Sequence, residues 1–353
     1  MKKLIAAFLL IVTLISFKVE ANPEKLKALL DEKSVGMTEH SGYSLYVAGP
    51  NGSFGVYKGM GLEDDSIFRL ASVTKTYVAA TALRLMEVGK LKLETPIGEL
   101  IDPAYSDILK AEGYDVSLIT VRHLLSHTAG LADHTQTPQF FGTIQTTPQK
   151  QWTRPEQINA LAEWTDPIGK PGEKFVYSDS GYVLLGHIIE RIEGAPLPVA
   201  VRTLLGFNQR GLRHTAWELG DNVEAEGKRT AQYIQGQNTF DWNGSLDTYG
   251  GGGLLSNPRE MALFFKALFG GEVFENPETL KLMLSDAGLP ADSPYRMGVF
   301  KSHLGGSLLY EHSGFWGTWA VYNPATGVAA AGAVTRQEDF LKLRKMILEY
   351  LTQ

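Results

Sequence analysis

Between Phe68 and Leu93 the chain reads FRLASVTKTYVAATALRLMEVGKLKL. Its apolar positions Val78, Ala82, Leu85 and Met86 recur at helical spacing. A helix with one buried face is predicted here, closed by Gly89 in the position just past its last turn. Upstream, Glu24 to Ser34 has the pattern of a short amphipathic helix. The stretch GYSLYVAGPNGSFGVYKGMG then alternates like two strands around a Gly-Pro-Asn-Gly turn. Downstream of about Leu91, helical patterns alternate with long Pro/Gly/Thr-rich connections, among them the predicted loop Asp133 to Gln157. After helices near Pro258 to Phe269 and Pro277 to Ser285, strand patterns return in YRMGVF, GSLLYEHSG and TWAVYNPATGVAAAGAVT. A last helix is predicted over Glu338 to Tyr350.

Strands near both ends with helices between them predict a mixed α/β (α+β) fold. In it an antiparallel sheet built from the two terminal regions is flanked by helices and interrupted by a mostly helical insertion. The expected division is 22–90 plus 256–353 for the sheet region and 91–255 for the insertion, with a cleft where the two meet. The first residues place Lys2 and Lys3 before an apolar run from Leu4 to Phe17, with Val19 and Ala21 at the small-residue positions of a cleavage site. The run is short for a membrane span, so residues 1–21 read as a signal peptide cut after Ala21, with an uncleaved anchor the alternative. A periplasmic or secreted protein with no transmembrane segment after signal removal is the expectation.

The formal net charge is −6, and three of the lysines lie in that leader. An acidic chain without a Lys/Arg cluster is a poor match for nucleic acid. The 353 residues contain no cysteine, which removes a thiol nucleophile and any disulfide framework, and leaves the core to hold the fold. The sequence says nothing of oligomeric state.

Candidate chemistry begins at the head of the first long helix. Ser72 and Lys75, three apart, share a helix face, so the hydroxyl and the amine come within hydrogen-bond reach. A lysine desolvated in a cleft is able to take a serine proton, and the N-terminal N–H groups of a helix favour the charge that develops. Alone, an SxxK is also what a helix-capping serine and a solvated lysine look like. Two further stretches change its weight: FVYSDSGYVLLG, with Tyr177, Ser178 and Asp179 before an apolar helix, and YEHSGFWG, with His312, Ser313 and Gly314 at the end of a strand.

This order resembles the SxxK, Ser/Tyr-x-Asn and Lys-Thr-Gly set of the serine β-lactamase and penicillin-binding-protein superfamily. FRLASVTK, VRHLLSHTAGL, PGEKFVYSDSGYVLLGHIIE and GGGGLLSNPREMALFFKAL also resemble its branch of class C β-lactamases, D-alanyl-D-alanine carboxypeptidases, D-aminopeptidases and esterases. The resemblance implies a β-lactamase/transpeptidase-like fold and an acyl-enzyme mechanism without metal or organic cofactor. Carried over by position, it makes Ser72 the nucleophile, Lys75 its proton acceptor and Tyr177 the phenol serving the leaving group and the deacylating water. The N–H groups of Ser72 and Phe315 would form the oxyanion hole. His312, Ser313 and Gly314 would line the pocket edge.

Two departures bear on substrate. His312 stands where the family most often has lysine and offers a weaker anchor for a carboxylate. Asp179 replaces the usual Asn; an ionised carboxylate only accepts hydrogen bonds, repels acidic substrates and favours protonated Lys75. The expected function is an exported serine hydrolase of esters or D-amino-acid peptides and amides, with a small-molecule or peptidoglycan-derived substrate. A β-lactamase is the alternative, and a non-catalytic binder of peptidoglycan fragments or β-lactams a second one.

Other features carry less. His123 and His127 are four apart on a predicted helix, with His134 nearby, but no zinc-ligand spacing surrounds them. Gly250 to Gly253 lacks the Lys-Ser/Thr of a phosphate loop and reads as close backbone packing. Arg296 reads as structural, with carboxylate recognition the alternative. Phe140, Phe141, Trp152 and Trp164 read either as a lid or as ordinary packing.

Overall fold

The computed structural model describes residues 22–352, so the leader lies outside the described residues. The chain opens with α1 (Pro23–Lys33), then β1 (Tyr43–Gly49) and β2 (Gly52–Lys58), paired so that Gly49 faces Gly52 across the turn. The long helix α2 (Thr74–Glu87) follows. Helix α3 (Asp179–Glu193) crosses the middle of the chain, and α4 (Pro258–Phe269) leads back to the sheet. Four strands complete it: β3 (Phe300–Leu304), β4 (Ser307–Gly314), β5 (Thr318–Asn323) and β6 (Val328–Val334), before the closing helix α5 (Phe340–Leu351). The resulting six-stranded sheet has the order β2-β1-β6-β5-β4-β3, antiparallel at every pairing.

Strand alternation sorts the side chains of this sheet into two cores. Leu45, Val47, Trp319, Val321 and Val334 face α1 and α5, where Leu26, Leu30, Leu343 and Ile347 close a cluster. Tyr46, Ala48, Ala320, Tyr322, Ala329 and Ala331 face the other way and join the large cluster around α2, α3 and α4. The alanines on β6 let helix α4 come close, with Phe265 and Phe269 filling the space above them.

Helix α2 is buried nearly all round, which explains its content of alanine and medium-sized apolar residues. It ends as the sequence predicts: Gly89 is left-handed (φ 74°), and the Lys90 N–H donates back to the Leu85 carbonyl at 2.9 Å. One expectation fails. The predicted long loop 133–157 contains the helix Pro138–Thr146, whose N-cap Thr137 accepts from the Phe140 N–H at 3.2 Å and whose Phe140 and Ile144 are buried. A two-turn helix held by a cap and two apolar anchors leaves little periodicity to read. No helix among the described residues is long and apolar enough to cross a membrane.

Candidate active site

Ser72 lies in a single 3-10 turn, Ala71–Val73, that runs directly into α2. Its side chain caps nothing: the N-cap of α2 is Val73, with no side-chain cap bond. Ala71 has a positive φ of 45°, a conformation that L-residues other than Asn or Asp rarely adopt and that costs on the order of 1 kcal/mol. That local strain turns Ser72 out of the strand Ser66–Arg69 toward the cleft, half-buried.

Lys75, one turn on, is sealed from solvent, its side chain 0% exposed. Its ammonium reaches the Ser72 hydroxyl at 3.0 Å, the Gly251 carbonyl at 2.5 Å and the Asp179 carboxylate. It also lies over the Tyr177 ring, 5.1 Å from the centroid. Burial works against its charge, but Asp179, with a smaller contribution from Tyr177, outweighs this and holds the Lys75 pKa above the ordinary lysine value. Gly251 offers its carbonyl because the Gly250–Gly253 run packs its backbone tightly: a Cβ at Gly250 would strike the Tyr182 carbonyl of α3 and one at Gly253 the Trp217 indole. Close backbone approach, as read from the sequence, is what these glycines provide.

Tyr177 precedes α3, whose N-cap Ser178 accepts from the Gly181 N–H at 3.3 Å and donates to the Ala132 carbonyl at 2.6 Å. The Tyr177 hydroxyl has no hydrogen-bond partner of good geometry. Burial raises its pKa above that of a free phenol, while neighbouring Lys75 and Ser72 pull the other way. Asp179 is the first residue of α3, where the helix dipole favours a carboxylate. Thr135 Oγ1 sits between two acids, 2.9 Å from Asp133 Oδ1 and 3.2 Å from Asp179 Oδ2. Burial, and then the Asp179 charge, push Asp133 up to about 7. Asp247, beside Gly252, is raised to about 7 for the same two reasons.

The third motif arrives from the far end of the chain. Gly314 packs so closely on Leu70 that a Cβ there would strike the Leu70 carbonyl, and Thr318 Oγ1 donates to that same carbonyl at 2.9 Å. The β4–β5 turn is thereby fastened to the residues just before Ser72, with Phe315 48% exposed at its tip and Ser313 half-buried. His312 does not line the edge as expected: it is 1% exposed, behind the surface. One ring nitrogen is 3.0 Å from the Tyr295 hydroxyl and the other 2.9 Å from the Ser313 carbonyl. Burial, reinforced by the Lys75 charge, pushes its pKa down to about 3, so the ring is neutral. Strand alternation puts His312 on the opposite face from Ser313, which is why its place in the motif misleads.

His127 lies in the VRHLLSHTAGL stretch that resembles the family, with no role assigned to it from the sequence, and in the structure it supports Tyr177. Its carbonyl accepts from the Val176 N–H at 2.8 Å and its Nδ1 from the Ser178 N–H at 3.1 Å, so it ties the chain on both sides of Tyr177. Its ring lies against the Tyr177 ring, centroids 4.1 Å apart. The residue itself is left-handed (φ 56°) and 2% exposed, and burial holds its pKa well below the ordinary histidine value. His123 instead completes a capping box with Thr120, and His134 pairs with Ser180 Oγ at 2.8 Å. Among the described residues no group of three His, Cys, Asp or Glu is placed to hold a metal ion. Arg296 is spent on the Ser293 and Tyr295 carbonyls and on Asp286.

Known proteins resemble this chain in sequence and in fold. The chain is 33% identical over 186 residues to the esterase EstB of Burkholderia gladioli, covering 51% of this chain and 44% of the relative. It is 26% identical over 297 residues to a putative D-alanyl-D-alanine carboxypeptidase of Escherichia coli (strain K12), covering 73% and 66%. The chain thus spans less than two thirds of the length of these curated relatives. A D-stereospecific amidohydrolase from a Streptomyces species superposes with a TM-score of 0.80 at 23% identity, over 92% of this chain and 98% of that one. The D-amino acid amidase of Ochrobactrum anthropi SV3 gives 0.77 at 24%, over 93% and 97%, so both share the fold. The family model described as Beta-lactamase matches residues 35–350, and the chain belongs to that family.

Proposed function

We propose that the protein is an exported serine hydrolase that acts through an acyl-enzyme on Ser72, taking carboxylic esters or D-amino-acid amides and peptides. The observation that carries this reading is the sealed Lys75 ammonium bonded at once to Ser72 Oγ and the Gly251 carbonyl, with Tyr177 over it. A solvated lysine on a helix surface would have none of these partners. Ser72 Oγ adds to the substrate carbonyl carbon, the C–O or C–N bond breaks, and the serine proton leaves with the alcohol or amine. Water then cleaves the acyl-serine ester and frees the acid. The Phe315 N–H, on a turn fastened to Leu70, is the proposed oxyanion donor with that of Ser72.

Substrate choice follows from charge. Neutral, buried His312 supplies no cation where the family's lysine would receive a carboxylate, and Asp179 adds an anion. Neutral esters and amine-bearing D-amino-acid amides suit such a site better than the carboxylate of a β-lactam. The relatives named as an esterase and the fold neighbours named as D-amino acid amidases support the same choice. Incubation with a fluorophosphonate and with penicillin, followed by mass analysis of the Ser72 peptide, tests it. A fluorophosphonate adduct that Ser72→Ala abolishes, with p-nitrophenyl ester turnover, is the expected result. No adduct with either reagent would overturn the hydrolase reading in favour of a binding role.

A further inference from the structure

Ala71, immediately before the nucleophile, shares an apolar cluster with Ile144, Leu246 and Trp316. The last three also line a cavity of about 190 Å³, completed by Ile234, Trp242 and the exposed rings of Phe141 and Phe315. Its polar side chains are those of Gln145, Gln235, Gln237 and Gln337 and the indoles of Trp242 and Trp316, and no charged side chain is among its lining residues. Phe315 both lines the cavity and carries the N–H proposed above as an oxyanion donor. Its carbonyl accepts from Gln337 Nε2 at 2.7 Å, and Gln337 belongs to the same wall, so the turn that presents the Phe315 N–H is also a side of the cavity.

We infer that this cavity is the acyl-chain subsite and takes an uncharged apolar chain, aliphatic or arylalkyl; the inference rests on the Ser72 acyl-enzyme reading above. Its side follows from the placement of the proton-handling groups. Neither Ser72 nor Lys75, Tyr177 and Asp179 lines it, and the leaving group, which must receive a proton, is placed toward Lys75 and Tyr177 rather than toward this wall. With the substrate carbonyl oxygen at Phe315, the acyl chain then extends the other way, over Phe315 and Trp316. Methylenes that leave water for this wall gain the hydrophobic transfer energy, whereas a terminal carboxylate would lose its hydration with no cationic side chain in the lining to pair with.

The test varies the acyl group at a fixed leaving group: p-nitrophenyl acetate, butyrate and hexanoate, with p-nitrophenyl monoglutarate as a charged chain of similar length. Expected is a rise in kcat/KM of roughly three-fold or more per methylene that becomes buried, with glutarate below butyrate. Trp242→Ala, which shortens the wall, and Ile234→Asp, which charges it, should each lower the hexanoate-to-acetate ratio by about ten-fold. Because the readout is a ratio within one variant, a general loss of folded enzyme does not mimic it. A flat chain-length profile, ratios unchanged in both variants, or a length preference that appears only when methyl and hexyl acetates are compared would overturn the subsite. Fluorophosphonate labelling of Ser72 with a flat profile sinks this inference alone; absence of labelling sinks the hydrolase reading itself.

Discussion

At the residue scale the site is governed by one ion pair. Lys75 is sealed, and the Asp179 carboxylate keeps its proton in place, while burial keeps the proton on Tyr177. Neither candidate base is free at neutral pH in the resting site. The kcat/KM of the wild type for a neutral ester should therefore climb with pH on the alkaline side. Replacing Asp179 with Asn removes the anion that raises Lys75 and leaves burial, which lowers it, as the main influence. The neutral amine then forms at lower pH, so the acidic limb of the profile for Asp179→Asn should move toward lower pH. Stopped-time assays of p-nitrophenyl acetate across pH 5 to 10 would measure this; a limb that stays where the wild type has it means that Asp179 does not control the base. The Asp-for-Asn departure was legible in the sequence, and so was its preference for protonated Lys75. What the sequence did not reveal is Asp133, tied to Asp179 through Thr135 from a segment read as loop.

Among the elements, the one that matters most is the tie between α3 and the segment around His127. Ser72 and Lys75 are suggested by their shared helix face, and Tyr177 is named from the motif order that resembles the family's. The support for Tyr177 is not legible in this way, since it comes from a histidine fifty residues away whose ring nitrogen and backbone carbonyl hold the residues on either side of it. Such a clamp has no periodic signature, and a buried neutral histidine looks in sequence like a surface or metal-binding one. The same blindness hid His312, where the motif correctly located the strand end but alternation along β4 turned the ring inward. If the clamp positions Tyr177, His127→Ala should lower kcat by roughly ten- to hundred-fold with a much smaller change in KM, because a displaced proton carrier costs rate before it costs binding. His127→Asn, whose Oδ1 is able to accept from the Ser178 N–H, should recover part of the loss. Steady-state kinetics with both variants, alongside their melting temperatures, decide the matter: equal kcat in all three proteins, or a loss that simply follows thermal stability, removes the positioning role.

For the whole molecule, the sheet was legible from alternation at the two ends of the chain, and the helices between them from their period. The division into a sheet region and a helical insertion at about Lys90 and Ser256 remains our proposal for how the chain is organised. The packing argues that, if distinct in topology, the two regions are not independent in energy. One apolar cluster runs from Tyr46 and Ala331 in the sheet, through Tyr77 and Leu83 of α2, to Leu109, Leu161 and Ile189 in the proposed insertion. Helix α2 has no exposed face of its own and would lose its cover if either region came away. The proposed site straddles the same seam, with Ser72 and Lys75 on one side and Tyr177, Asp179 and Gly251 on the other. Separation would expose apolar surface on both sides at once and strand the Lys75 charge, so the two parts should unfold together. Differential scanning calorimetry of the protein should show a single transition with a calorimetric-to-van't Hoff enthalpy ratio near one, and activity should vanish in the same interval. Two resolved transitions, or activity lost in a first step that leaves most of the helical signal intact, would show instead that the insertion melts by itself and that the site is held together by contacts weaker than this shared core implies.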